Sequence, residues 1–236
     1  MMDGFGPLAL TTAGFLALHW IVTRRAIRGP VVRAVGEGPY LAAFSVAALA
    51  LITGMAMAYG EAPFLPVLWF TGDVGAIVSV LVMPVAYVLL VASVSAPNPT
   101  MAGAPTGDDT MPPPTGALRI TRHPMMWAFG LWGLCHLFAN GELRSIILFG
   151  ALTALALIGT VSIDAKVRRR EAARFERLRA QTSILPFAAI LGGRQSLGAA
   201  VREIGWRRLA IALILYAATL YLHPWLFGVY AMPTTL

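Results

Sequence analysis

Four histidines hold most of the chemistry open to this chain: His19, His123, His136 and His223. Neutral imidazole is the commonest protein ligand for transition metals and for haem iron. Two of the four lie in residues 119–141, RITRHPMMWAFGLWGLCHLFANG, together with the only cysteine, Cys135, and two tryptophans, Trp127 and Trp132. Metal-capable side chains inside an apolar helix are costly in lipid unless they have a task. Each histidine also has a plainer use. His19, five residues before Arg24, could bond at an interface. His123 could cap a helix with Arg122 and meet a lipid phosphate, and His223 precedes Pro224 at the outer end of the last apolar run. Other chemistries find no pattern. There is no Cys-x-x-Cys, no His-Glu-x-x-His, no Gly-rich phosphate loop and no G-x-S-x-G elbow. Asp164, beside Lys166 and Arg168, reads as a surface ion pair. Trp127 and Trp132 could line a cavity for a flat apolar ligand, or pack against a neighbouring helix.

The elements that would position these residues are membrane helices. The chain of 236 residues is 58% hydrophobic and 12% charged, against about 25% charged in ordinary soluble domains. Six apolar stretches are long enough to cross about 30 Å of hydrocarbon at about 1.5 Å per residue. They are residues 4–23, 39–59, 73–95, 124–140, 143–163 and 206–227. The first is expected to be a retained helix, since no small-residue cleavage site follows it. Asn140-Gly141 turns the fourth stretch into the fifth, predicting an antiparallel hairpin. The fold class is all-α: a polytopic bundle of about six transmembrane helices, read as one domain over residues 1–236.

Charge sets the orientation. Arg24, Arg25, Arg28 and Arg33 follow the first stretch, and Arg119 and Arg122 precede the fourth. Eleven further basic residues lie between Lys166 and Arg208, and only Arg144 falls on the other side. The positive-inside rule then places the basic loops in the cytoplasm and both termini outside, as in a bacterial-type inner membrane. The net charge of +7 reflects this topology and does not imply nucleic acid.

Residues 96–118, rich in proline, glycine and threonine, read as a flexible cytoplasmic linker. Residues 164–205 form a basic cytoplasmic segment. Its first part extends the fifth helix, with charge pairs among Arg170, Glu171, Arg174, Glu176 and Arg179. Residues 183–191, SILPFAAIL, are too short to span and read as interfacial or re-entrant, ending at Gly192-Gly193.

The run Arg119 to Pro124, Cys135-His136 and Ala139-Asn140-Gly141 resembles the NnrU family. So do Phe15 and His19, Gly36-Glu37 with Tyr40, and Asn98-Pro99. Thr182 to Ile190 (TSILPFAAI), Gly193-Arg194-Gln195 and His223-Pro224 are most similar to its zeta-carotene isomerase branch. That resemblance implies an integral membrane enzyme with b-type haem that isomerises a cis carotenoid precursor, a polyene dissolved among membrane lipids. It implies His19 and His136 as iron ligands and catalytic residues, with Cys135 as a possible alternate ligand. Bacterial NnrU members are linked by name with nitrite and nitric oxide metabolism, which would make the chain a haem-binding or accessory protein. The Arg-His-Pro start also resembles isoprenylcysteine and phospholipid methyltransferases, which bind S-adenosylmethionine. The partner of His19 stays open. His123 matches it in depth from the basic boundary, whereas His136 lies about 13 Å deeper at 1.5 Å per residue. His123 and His136 sit about 220° apart around one helix and so do not serve one site together. An idle histidine is costly inside the membrane, which favours His136. Electron donor and oligomeric state are not written in the sequence.

Overall fold

The structure, a computed structural model, describes residues 4–100 and 113–233. Among them the chain is helical, with a single isolated antiparallel bridge between Val67 and Glu142. We number the helices α1 (Gly6–Ala17, continued by a π-helical turn, Leu18–Val22), α2 (Arg25–Val35), α3 (Glu37–Glu61) and α4 (Asp73–Val94). Then follow α5 (Pro124–Ala139), α6 (Leu143–Arg170), α7 (Ala172–Gln181) and α8 (Leu197–Phe227). Short helical turns occur at Ala117–Ile120 and Ala188–Leu191.

Four of these, α3, α4, α6 and α8, are long and apolar enough to cross a membrane. The pair Gly6–Val22 and Arg25–Val35, bent by 78°, is a fifth candidate, and Pro124–Ala139 is a shorter apolar helix. All six apolar stretches are thus helical. Their large side chains are widely exposed, among them Leu81, Val161, Ile214, Trp225 and Phe227. Apolar surface of that extent is unfavourable in water and favourable in lipid. The chain is a multi-pass helical membrane protein.

Several expectations need correction. The basic residues after the first stretch do not form a loop. They build α2, whose Ile27, Val31 and Val35 are exposed at four-residue spacing, the pattern of a helix lying in an interface. The fifth helix does not run on through the basic segment. It ends at Arg170, because Glu171 leaves helical geometry (φ −145°, ψ 66°) before α7 begins. The last helix starts earlier than its apolar stretch. Leu197 to Ile204 lead into Gly205, whose φ of 79° breaks the helical path just before Trp206. Only glycine takes that φ without strain, so the kink falls where the composition turns apolar. The 96–118 linker lies partly outside the described residues. Its described ends are ordered: Asn98 and Thr100 are buried, and Ala117–Ile120 is helical.

Backbone contacts divide the chain into two compact units, Met1–Thr71 with His136–Leu155, and Gly72–Cys135 with Ala156–Leu236. In the first, α1 packs antiparallel on α3. Gly14 meets Leu51 and Gly54 meets Thr11, so a glycine on each helix receives a side chain of the other. Leu8 and Met55 are fully buried there. In the second unit, α4 packs on α8. The Tyr216 hydroxyl donates to the Val80 carbonyl at 2.9 Å and Arg208 donates to Ser95. A buried cluster of Leu89, Ala92, Ala117, Ile120, Ala128, Ala200 and Ile204 forms its core. The predicted hairpin is present: Gly130 of α5 meets Leu157 of α6 in this unit, and Leu137 meets Gly150 in the first.

Candidate functional site

The first unit holds His19 and His136. The π-helical turn Leu18–Val22 carries His19, and single π turns recur at functional sites. Nδ1 of His19 lies 2.9 Å from the Phe15 carbonyl. A carbonyl only accepts, so Nδ1 carries the proton and Nε2 presents its lone pair. This is how metal-binding histidines are oriented from behind. The ring sits against Phe15 (4.3 Å between centroids) and Phe44 (5.2 Å). Tyr40 donates to the Val22 carbonyl at 3.2 Å, which ties the turn to α3.

His136, near the end of α5, stacks on Phe149 at 4.6 Å, and Phe149 meets Tyr59 edge-on at 5.9 Å. Beyond it lies a polar cluster that sequence reasoning missed. The Tyr59 hydroxyl bonds Ser145 Oγ at 2.8 Å, Ser145 donates to Glu142 at 2.9 Å, and Arg144 lies 4.9 Å over the Tyr59 ring. Glu142 is buried within this cluster. Aromatic and apolar surroundings with a pre-oriented imidazole fit a haem. A cluster of three or more His, Cys, Asp or Glu able to hold a metal ion does not occur among the described residues. Haem iron needs only one or two axial side chains from the protein.

The second unit holds His123, and here the plain readings fail. His123 is not at an interface facing lipid phosphate; it is 2% exposed. Its Nε2 bonds Asp164 at 2.8 Å, and its Nδ1 has no partner among the described residues. Asp164 is not a surface partner of Lys166 or Arg168. It is buried, and receives Arg122 through Nε (2.9 Å) and Nη2 (2.6 Å). The sequence signal was available: one carboxylate closing an apolar helix needs a buried cation. The 42 residues from Arg122 to Asp164 hid the pairing.

Around this pair the stretches 119–124 and 182–195 are knitted together. The Thr121 hydroxyl donates to the Ile184 carbonyl at 2.7 Å and Trp127 Nε1 to the same oxygen at 2.8 Å. The Arg122 amide donates to Ser183 (3.0 Å) and the Phe187 amide to Ile120 (2.9 Å). Thr100 donates to the Arg122 carbonyl and to Asn98. Trp127 thus serves this junction. Arg119 forks onto Glu203 at 2.7 and 2.8 Å, and that carboxylate holds its guanidinium above the ordinary value. Residues 183–191 do not span. Phe187 takes a left-handed conformation (φ 64°) and a single helical turn follows. Cys135 is a free, buried thiol. His223 is half-buried near the end of α8, with Nδ1 2.8 Å from the Val229 carbonyl.

A bundle of apolar helices carrying a buried imidazole on a buried ion pair defines a class of polytopic membrane protein. The NnrU protein family model matches residues 7–231, so the chain belongs to the NnrU family. It is 39% identical over 83 residues to the chloroplastic 15-cis-zeta-carotene isomerases of Zea mays and of Arabidopsis thaliana. In each case the match covers 35% of this chain and 23% of the relative. The chain therefore spans about a quarter of the length of the curated relatives it matches. No solved structure matches.

Proposed function

We propose that this protein is a haem-dependent membrane isomerase that converts a cis double bond of a lipid-dissolved polyene to trans. The match to the two isomerases carries this reading. The presentation of His19 supports the cofactor. His19 and His136, both in the first unit, are the proposed ligands of haem b. His123, backed by Asp164 in the same manner, is less suited because its side chain is only 1% exposed, whereas His19 is part-buried.

When bound, the iron would withdraw electron density from the conjugated chain and lower the bond order of the bond that rotates. The chain's own residues do the rest. The Phe15 carbonyl fixes the His19 tautomer, while Phe15 and Phe44 wall one side of that ring and Phe149 stacks on His136. These aromatic faces suit a flat hydrocarbon. We place the protein in a bacterial-type cytoplasmic membrane with its basic loops inward.

The test is an absorption spectrum of the purified full chain, followed by incubation with a cis polyene and chromatography of the isomers. A Soret band that shifts on reduction, with conversion to the trans isomer, is expected. A colourless protein that binds S-adenosylmethionine would instead support a methyltransferase. A haem protein inert towards polyenes would support a role in nitrogen-oxide metabolism.

A further inference from the structure

The second unit leaves an open cleft of about 430 Å³, lined by Arg122, Glu176, Arg179, Ala180, Thr182 and Arg194. Three separate segments bring the arginines together: the start of α5, the end of α7 and the turn after Ala188–Leu191. Arg122 spends Nε and Nη2 on Asp164 and keeps Nη1 uncommitted among the described residues. Its side chain is 6% exposed, so the guanidinium is already fixed and loses little entropy on binding a ligand. Among the described residues Arg194 has no carboxylate partner. Its Nη1 donates to the carbonyls of Ala180 (3.0 Å) and Thr182 (2.9 Å), across the end of α7, where carbonyl groups would otherwise repel an anion. Arg179 donates to Glu176 at 3.2 Å, and Glu176 also meets Arg168 at 3.0 Å.

The charges do not cancel. Among the described residues four guanidiniums (Arg122, Arg168, Arg179, Arg194) stand against two carboxylates (Asp164, Glu176), an excess of two positive charges. A phosphate monoester carries about −1.5 to −2 at neutral pH, and guanidinium forks match its oxygens. The level also fits. Arg122 lies just before Pro124, where the apolar α5 begins, and Asp164 closes the apolar run of α6. Lipid phosphates lie at such boundaries.

We propose that this cleft binds a phosphate group, with Arg122, Arg179 and Arg194 as its donors. The group belongs either to a lipid headgroup or to a soluble phosphate, and the chemistry of recognition is the same.

The full chain in neutral detergent is titrated with inorganic phosphate and, separately, with dihexanoyl phosphatidate, using dihexanoyl glycerol as the phosphate-free control; binding is read by thermophoresis. Saturable binding of phosphatidate alone assigns a headgroup site, and competing binding of inorganic phosphate assigns a soluble ligand. Either supports the proposal. Arg179→Gln, at an exposed pair, should weaken binding about tenfold. Glu176→Gln should tighten it by removing a like charge. Arg33→Gln, in the other unit, should leave it unchanged. If neither phosphate compound saturates, or if Arg33→Gln weakens binding as much as Arg179→Gln, the site is overturned.

Discussion

At the residue scale the histidines divide by what already holds them. His19 is fixed from behind by the Phe15 carbonyl and is part-buried, whereas His123, fixed by Asp164 through Nε2, has a side chain only 1% exposed. The expected outcome is that His19→Ala loses most of the Soret absorbance while His223→Ala retains it, since His223 lies near the end of α8 in the second unit, bonded to the Val229 carbonyl. Comparable loss in both variants would remove His19 from the proposed ligand set. His123 and Arg122 share one carboxylate, so Asp164→Asn strips a buried arginine of its counter-charge. Breaking a buried pair this way costs about 3–5 kcal/mol. The Asp164→Asn variant should unfold at clearly lower temperature or denaturant than wild type in the same detergent. An unchanged midpoint would mean that water or lipid reaches Arg122.

At the element scale the loop from Phe64 to Thr71 is clamped onto the α5–α6 turn. The Leu68 amide donates to the Gly141 carbonyl at 2.8 Å, and the Leu143 amide to Pro66 at 3.0 Å. A Cβ on Gly141 would sit 2.0 Å from the Trp69 carbonyl oxygen. The turn Asn140-Gly141 was legible as a tight connection, but the reason no larger residue fits is a segment seventy positions away in the chain. Gly141→Ala is expected to cost about 1–3 kcal/mol through forced displacement of that loop. Gly38→Ala, where nothing lies within 4 Å, should be neutral or slightly stabilising, because alanine narrows the unfolded ensemble. Thermal unfolding of the two variants side by side separates close approach from a general intolerance of lost glycine.

At the scale of the whole molecule the proposed topology rests on the placement of the basic residues, with only Arg144 outside the basic loops. In a Cys135→Ser background, Gly60→Cys should react with an impermeant thiol reagent from outside. Thr110→Cys, beyond the described residues, should react only after the membrane is opened. Labelling of the Thr110→Cys variant in sealed cells would reverse the orientation.

Membrane class, helix content and the six apolar stretches were determined by the sequence alone. In lipid each spanning segment must satisfy its own backbone hydrogen bonds, so composition and length suffice to specify a helix. The charge pairs at and before α7 were equally legible, being only one to three residues apart. Tertiary structure alone decided what the polar residues do. Asp164 finds Arg122 and His123 across more than forty residues, and Thr121 and Trp127 find Ile184 across about sixty. It also sorted the motif residues. Phe15, His19, Glu37 and Tyr40 fall in one unit, while Asn98, Arg122, Thr182 and Arg194 fall in the other. A buried polar group must be partnered, but a one-dimensional pattern carries no distance between residues far apart in the chain.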